Sequence, residues 1–191
     1  MAATQPKLMT ADELWAIGDD GCRYDLIEGE LYRTSPASPK HGKFAARVAR
    51  HLDVFVDELE LGEVFGAESG FRLSRDPDTV LAPDAAFVRA DKIPPDDEQD
   101  GFWPVVPDLV VEVISPSDTV GYLVDKFAAY LDAGVEAVLT IDPKRRTLSV
   151  HTQDGITRTQ RENDVLELPE ILPGFSLQVS EIFRRVQRRE P

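Results

Sequence analysis

The stretch "PDLVVEVISPSD", residues 107–118, carries one carboxylate inside an apolar run. Alternate residues of a β-strand share a face, so Glu112 lies on the same face as Val110 and Ile114, and the other apolar residues lie opposite. A run that is apolar on both faces is typical of a central strand covered on both sides. A carboxylate there is unfavourable unless it is paired, hydrogen-bonded or metal-bound. Glu112 is therefore either a strand-end residue that reaches solvent or pairs with a nearby Lys or Arg, or a functional carboxylate.

A second carboxylate stands in "LAPDAAFV", residues 81–88. Asp84 follows Pro83 at the start of an apolar strand, where Pro-Asp is also a common turn pair and Asp a common cap. Two neighbouring strands could bring Asp84 and Glu112 together. Two carboxylates a few ångströms apart repel and need a cation, and hard oxygen ligands suit Mg²⁺ or Mn²⁺. The pair predicts a divalent metal site, with a turn role for Asp84 as the alternative.

The segment "TVGYLVDKFAAYLDAG", residues 119–134, predicts a helix that follows the Glu112 strand after a short turn. Apolar residues at helical spacing form its predicted core stripe: Leu123, Phe127, Tyr130 and Leu131. Lys126 lies about 60° from Leu123 on a helix of 3.6 residues per turn, at the border of the stripe. Lys126 is then either a lysine whose stem covers apolar surface or a cation directed toward the two carboxylates.

The remaining pattern mixes helices and strands. Thr10 and Glu13 in "MTADEL" form a predicted capping box at the start of a short helix to about residue 17. Residues 23–35 predict a hairpin around Gly29. Further elements are predicted as helices at 39–59 and 120–133 and as strands at 62–66, 70–74, 85–88, 109–114, 136–142 and 146–152. Late short strands and a helical turn at "SEIFRRV" follow, so the class is α/β or α+β.

Composition limits the class of protein. With 191 residues and 42% hydrophobic residues, the chain is expected to form a single domain over residues 1–191. The sequence has no apolar run of membrane-spanning length and no apolar signal region at its start, and its only cysteine is Cys22, so a cytoplasmic protein without disulfides is expected. The Cys and His pattern does not suggest zinc.

The net charge bears on possible partners. The chain has 21 Lys and Arg against 35 Asp and Glu, a net charge of −14, which argues against non-specific affinity for nucleic acid. Several acids fall in a predicted exposed loop at 91–100. A basic stripe on the predicted helix 39–59 could meet phosphates or could simply be a solvated face: Lys40, Lys43, Arg47 and Arg50.

These motifs resemble those of the PD-(D/E)XK nuclease superfamily, in which an Asp after Pro precedes a strand with the pattern acid-x-Lys. Asp84 matches the first acid and Glu112 the second, but Ile114 occupies the lysine position. Some branches carry this lysine on the following helix, where Lys126 would fit. The chain is most similar to a large bacterial family of restriction-endonuclease-like proteins, over about residues 8–185. The matching stretches are "MTADEL", "YDLIEGEL", "SPKHGKFAARV", "APDAAFV", "PDLVVEVISPSD", "KFAAYLDAGV", "TIDP" and "LPGFSL".

The resemblance implies a restriction-endonuclease-like mixed central sheet flanked by helices, with an N-terminal hairpin, and a homodimer that cleaves DNA. Asp84 and Glu112 would bind the metal, with the Val113 carbonyl as a further ligand, and Lys126 would orient water or stabilise negative charge. Glu28 would add a further ligand or be an ordinary hairpin residue. His41 would contact phosphate or water, or be a surface residue near the start of its helix.

Two other functions remain open at this point. A metal-dependent hydrolase of a smaller phosphate ester would tolerate the charge of −14 better than an enzyme acting on duplex DNA. A catalytically degenerate nuclease fold could instead serve as an interaction module. The presence of Asp84, Glu112 and Lys126 together favours an enzyme.

Overall fold

The computed structural model describes residues 8–34, 38–95 and 101–184. Its helices are α1 (Ala11–Trp15), α2 (Pro39–Glu58), α3 (Val120–Ala133) and α4 (Val179–Phe183). Its strands are β1 (Arg23–Ile27), β2 (Glu30–Thr34), β3 (Gly62–Gly66), β4 (Phe71–Ser74), β5 (Thr79–Leu81), β6 (Ala85–Arg89), β7 (Leu109–Val113), β8 (Ala137–Asp142), β9 (Thr147–Thr152), β10 (Thr157–Arg161), β11 (Val165–Leu168) and β12 (Leu172–Gln178). No helix in these described ranges is long and apolar enough to cross a membrane.

A mixed six-stranded sheet forms the centre of the fold, in the order β10-β9-β8-β7-β6-β3. The β7–β8 pair is parallel and every other pair in this sheet is antiparallel. Parallel neighbours need a crossover connection, which α3 supplies between β7 and β8. As predicted, the apolar strand 109–113 lies inside the sheet, and all five of its residues are buried.

The two faces of the central sheet carry separate cores. Alternate residues of β7, namely Leu109, Val111 and Val113, pack with α2, α4 and the small β11–β12 sheet. Val110 faces the other way and packs with residues of α3 and of the second sheet. The sequence therefore predicted the two-sided burial of this strand correctly, and Glu112 lies on the face toward α3.

A second sheet, ordered β2-β1-β5-β4, lies beside α3. β1 and β2 form the predicted hairpin, with Ile27 opposite Glu30 and a two-residue turn at Glu28 and Gly29. Both turn residues have positive φ, at 50° and 78°. Positive φ at both central residues is characteristic of the type I′ turn that closes tight hairpins. Strand β5, with only three residues, was not predicted because so short a run shows no periodicity.

An ion cluster fixes the other end of β7. Asp108, which is fully buried, accepts hydrogen bonds from the backbone N–H and guanidinium of Arg89, and Lys92 Nζ lies 2.7 Å from its Oδ1. Arg89 also pairs with Glu136, which precedes β8. These contacts join β6, β7 and β8 at the end of the sheet where β7 begins.

Most predicted boundaries agree with the structure to within two residues. The capping box of Thr10 and Glu13 is present, and α3 begins after Thr119 and ends at Gly134, which has a φ of 109°. The core stripe predicted for α3 is confirmed in part, because Tyr130 is fully buried and Phe127 and Leu131 pack partly buried against the core, while Lys126 is buried as well. The second half of the predicted acidic loop, the end of "SEIFRRV" and the terminal parts of the predicted domain lie outside the described residues.

Gly62 opens β3 where the strand meets β6. Its φ is 153°, and a Cβ atom there would lie 2.1 Å from the Val88 carbonyl oxygen. We expect Gly62→Ala to lower the free energy of unfolding by about 2 kcal/mol or more, because backbone must move. Gly66 in the same strand has open space around its Cβ position, so Gly66→Ala should change stability by no more than about 0.5 kcal/mol. Urea unfolding followed by circular dichroism measures both, and equal losses would contradict the steric explanation.

Candidate active site

Several elements of the fold converge on one cavity of about 560 Å³. The charged residues at its floor come from β1, α2, the turn before β6, β7 and α3: Arg23, Asp25, His41, Asp84, Glu112 and Lys126. The structure thus brings together Asp84, Glu112, Lys126 and His41, four of the residues singled out in the sequence. The Val113 backbone lies in the same group.

Asp84 is held just before β6 by backbone and side-chain contacts. Its Oδ2 accepts a hydrogen bond of 2.8 Å from the Val113 N–H and lies 3.2 Å from His41 Nε2. Arg23 lies 3.6 Å from the other oxygen. Burial alone would raise the pKa of Asp84, but the hydrogen bonds from His41 and Val113, together with the charges of His41 and Arg23, lower it. Asp84 is therefore an ionised carboxylate at the edge of β7.

Glu112 is buried on the face of β7 that meets α3. Its Oε1 lies 2.8 Å from Lys126 Nζ and accepts a hydrogen bond of 2.8 Å from the Tyr130 hydroxyl. No hydrogen bond from the described residues reaches Oε2. Burial raises the pKa of Glu112 to about 7, and repulsion from Asp84 and Asp25 adds to this although Lys126 opposes it. The cavity floor therefore sets three carboxylates, Asp25, Asp84 and Glu112, against three basic groups, Arg23, His41 and Lys126, in surroundings where burial disfavours charge.

Lys126 lies between two carboxylates and not at the protein surface. Its side chain is 7% exposed, with Nζ 2.8 Å from Glu112 and 3.1 Å from Asp25. Burial would lower the pKa of Lys126, but Asp25 and Glu112 raise it well above the ordinary value, so the ammonium is charged. On α3, Tyr122, Lys126 and Tyr130 follow each other at four-residue spacing and form the inward face. The alternative of a lysine covering surface does not hold.

Asp25 is the carboxylate that the sequence reasoning missed. It lies in β1, and its Oδ2 contacts Lys126 and accepts a short hydrogen bond from the Tyr122 hydroxyl. Its Oδ1 accepts a weaker bond of 3.4 Å from the Ala82 N–H. The available signal was an acid next to Leu26 and Ile27 in a strand, the same kind of anomaly that drew attention to Glu112.

Glu28 was predicted to join the site and does not do so. It lies exposed in the turn between β1 and β2, where its backbone N–H donates to the Thr79 hydroxyl. Glu28 is not one of the described residues that line the cavity. The type I′ turn directs residue 28 away from the face of β1 on which Asp25 lies, so Asp25 supplies the carboxylate expected from this segment.

His41 reaches the site from the first turns of α2, which Ser38 caps. Its ring contacts Asp84 Oδ2 and also bonds the Val113 carbonyl. The hydrogen bond with Asp84 raises the pKa of His41, although burial and Arg23 oppose the shift. The surface alternative is excluded by these contacts. In this structure His41 contacts the acid directly, at the position where a ligand of Asp84 would bind.

The predicted metal ligands can be compared with this geometry. Within residues 8–34, 38–95 and 101–184, no three His, Cys, Asp or Glu side chains form a ready metal site. The predicted set has fewer side chains, since it combines Asp84 and Glu112 with the Val113 carbonyl. Oxygen atoms of this kind fit a hard divalent cation, and a cation beside Glu112 would offset the burial that raises the pKa of this carboxyl.

A mixed sheet flanked by helices, with two acids and a lysine at one end, defines the restriction-endonuclease-like class of nuclease folds. A family model described as "Uma2: Putative restriction endonuclease" matches residues 11–180, so the chain belongs to this family. Its fold is similar to the crystal structure of a "putative nuclease belonging to DUF820" from Anabaena variabilis, with a TM-score of 0.80 and 18% identity, over 92% of this chain and 97% of that chain. A search of curated proteins gave no significant match. The family resemblance and the fold inferred from the sequence are thus confirmed.

Burial of Glu112 predicts a pH-dependent stability in the absence of metal. A carboxyl whose folded-state pKa is raised from 4.5 to about 7 stabilises the fold fully below pH 4.5, and this stabilisation is lost as the pH rises through about 7. Glu112→Gln cannot ionise, so its unfolding free energy should fall less than that of the wild type between pH 5 and 8, by on the order of 1–3 kcal/mol. Urea unfolding in EDTA at several pH values measures the difference. Parallel curves for the two proteins would show that Glu112 ionises normally.

Proposed function

We propose that this protein is a metal-dependent DNA endonuclease that hydrolyses phosphodiester bonds. One observation carries the proposal: Asp84, Glu112 and Lys126 meet at the floor of one cavity, on a fold shared with a nuclease family. This juxtaposition of an ionised acid, a second acid whose pKa is raised by burial, and a buried ammonium is unfavourable for stability alone. Its presence supports a chemical role.

Each residue has a distinct task in this proposal. Asp84 and Glu112 Oε2, with the Val113 carbonyl, would hold Mg²⁺ or Mn²⁺, which supplies an acidified water and stabilises charge on the phosphate. Lys126 places a fixed positive charge beside Glu112. This charge would stabilise the negative charge that develops on the phosphate oxygens during the reaction. Asp25 and Tyr122 fix the direction of Lys126, and Tyr130 fixes Glu112. His41 and Arg23 hold Asp84 ionised until a cation binds.

The position of Lys126 supports the view that it replaces the lysine absent at Ile114. Ile114 lines the same cavity at the end of β7, and Lys126 approaches Glu112 from the helix packed over that strand. An ammonium from either position would reach the same side of Glu112. The lysine has thus moved in the sequence while its charge stays beside the second acid.

The charge of the chain limits how a substrate can approach. The net charge is −14, and the basic stripe on α2 is partly used within the fold, because Arg47 donates to the Ile182 carbonyl. The same charge is compatible with the alternative of a smaller phosphate ester, and cleavage assays should include a chromogenic phosphodiester. A homodimer remains a prediction from the family resemblance.

Calorimetric titration with Mn²⁺ tests the metal site. We expect binding by the wild type and a loss of at least about tenfold in affinity in Asp84→Asn and Glu112→Gln, because each removes one anionic ligand. Asp19→Ala serves as the control, since Asp19 lines the cavity but only caps a local turn at Gly21. If both site variants bind Mn²⁺ as tightly as the control, the metal site is wrong.

Lys126→Met tests the proposed electrostatic role. Cleavage of plasmid DNA in Mn²⁺ should slow by about 10²–10³-fold, the typical effect of losing one donor of this kind. The variant should also be less stable, because Asp25 and Glu112 lose the cation between them. Rates are therefore compared at a temperature at which circular dichroism shows a folded protein.

Gly62→Ala is the matched control for Lys126→Met, since it should lower stability without a change in the cavity. Lys144→Met removes an exposed lysine outside the cavity lining and controls for net charge. Wild-type cleavage by folded Lys126→Met would refute the role of the lysine. Loss of cleavage by folded Gly62→Ala to the same extent would show that stability, not charge, limits the rate.

A further inference from the structure

The mouth of the cavity carries an exposed tryptophan that the proposed chemistry does not use. Trp15, at the end of α1, is 60% exposed. Its ring meets Phe102 edge to face, with the centroids 5.0 Å apart. Both rings line the same cavity as Asp84 and Lys126. The exposed Trp15 ring at the cavity mouth offers a flat apolar face to a ligand.

The pair is positioned by contacts on both sides. Phe102 lies so close to Gly70 that a Cβ at residue 70 would be 2.5 Å from the Phe102 ring. The helix that carries Trp15 is fixed by Asp78, whose Oδ2 accepts a hydrogen bond of 2.6 Å from the Ala11 N–H while Arg72 pairs with the same carboxylate. The orientation of the rings is therefore determined by the fold, as expected of a preformed surface.

Charge is distributed unevenly between the mouth and the floor. The cations that line the cavity, Arg23, His41 and Lys126, lie deep, with side chains 21%, 12% and 7% exposed. Glu68, at the mouth, has a side chain that is 73% exposed. The same floor carries three carboxylates, Asp25, Asp84 and Glu112, that formally balance these cations, so it admits a phosphate more readily than the acidic mouth, where the aromatic pair suits an uncharged planar group.

A second cavity of about 380 Å³ lies across the aromatic pair. Trp15 and Phe102 line both cavities, and the second one also carries Asp12, the exposed Arg75, and Arg72, which is paired with Asp78. A chain of alternating phosphates and planar groups that left the floor of the first cavity would pass the rings and then meet a guanidinium. This order of anion site, aromatic surface and cation is the order of groups along a single strand of nucleic acid.

From this arrangement we infer that Trp15, supported edge to face by Phe102, stacks an unpaired nucleobase of the substrate, so that the enzyme acts on single-stranded or locally unpaired nucleic acid. The inference rests on the proposed function and specifies its substrate class. A base stacks on an aromatic ring only if its face is free, whereas in a duplex both faces of an internal base are covered by neighbours. A cavity of about 560 Å³ has the size of a small-ligand site and accepts a nucleotide, not a double helix.

Binding without cleavage isolates this inference from the proposed chemistry. The probes are a fluorescein-labelled single-stranded DNA of 15 mixed nucleotides (about the site size of one single-strand-binding fold) and the same sequence as a blunt duplex, titrated in EDTA. We expect the single strand to bind at least about tenfold more tightly than the duplex, and Trp15→Ala and Phe102→Ala to remove most of the difference. Val54→Ala, an exposed apolar residue on α2 outside the cavity lining, should have no effect.

Intrinsic fluorescence gives a second readout. The chain has two tryptophans, of which Trp103 is only 8% exposed, so quenching by unlabelled single strand reports Trp15. Trp15→Phe should keep most of the affinity and lose the quenching, while the emission of Trp103 reports an intact fold.

Two outcomes separate this inference from the nuclease proposal. Binding of the single strand that depends on Trp15, without cleavage in Mn²⁺, would support the nucleobase site and count against the nuclease. Cleavage in Mn²⁺ with equal affinity for single strand and duplex, or with no effect of Trp15→Ala, would overturn the nucleobase site and leave the nuclease proposal in place.

Discussion

The site depends on one buried ammonium. Lys126 Nζ lies within 3.1 Å of Asp25 and 2.8 Å of Glu112, and so joins α3 to the second sheet and to the central sheet. Two carboxylates in an apolar interior repel each other, and each ion loses its hydration. The charge of Lys126 therefore holds the second sheet beside α3, and the same charge has a role in the reaction that we propose. A protein that lost this lysine would have to rearrange three elements, not one side chain.

The fold forms the site by bringing the end of β7 next to the turn before β6 and to two helices. β7 lies between an antiparallel and a parallel neighbour, so the turn before β6, with Asp84, meets the end of β7, with Val113 and Glu112. The crossover helix returns over the same end and carries Lys126. His41 comes from a helix on the opposite face of the sheet, and reaches Asp84 around the strand end. Residues far apart in the sequence thus converge because the sheet order is not the sequence order.

Much of this could be predicted from the sequence because the signals were local. Glu112 interrupts an apolar strand, Asp84 follows Pro83, and the caps of α1 and α3 use ordinary residues at ordinary positions. Lys126 was placed only at the border of the helix face, since hydrophobic periodicity treats a lysine as solvated and does not register an ion pair in the interior. Asp25 was missed because its partners lie in α3, about a hundred residues away, and nothing near Asp25 in the sequence indicates that contact. The exposed position of Glu28 agrees with the hairpin turn that the sequence predicted at Gly29, whereas the family resemblance had implied a role for Glu28 in the site.

The strand β7 has an acid at each end, and the two acids differ in their surroundings. Asp108 is saturated by a backbone N–H, a guanidinium and an ammonium, whereas burial raises the pKa of Glu112 although Lys126 and Tyr130 contact it. The contacts of Asp108 hold three strands together. The end of β7 near Glu112 can therefore keep an arrangement that stability alone would not favour. Loss of function after substitution of Asp108 would therefore report a broken framework, and would carry no information about the reaction, even though Asp108 lies only four residues from Glu112.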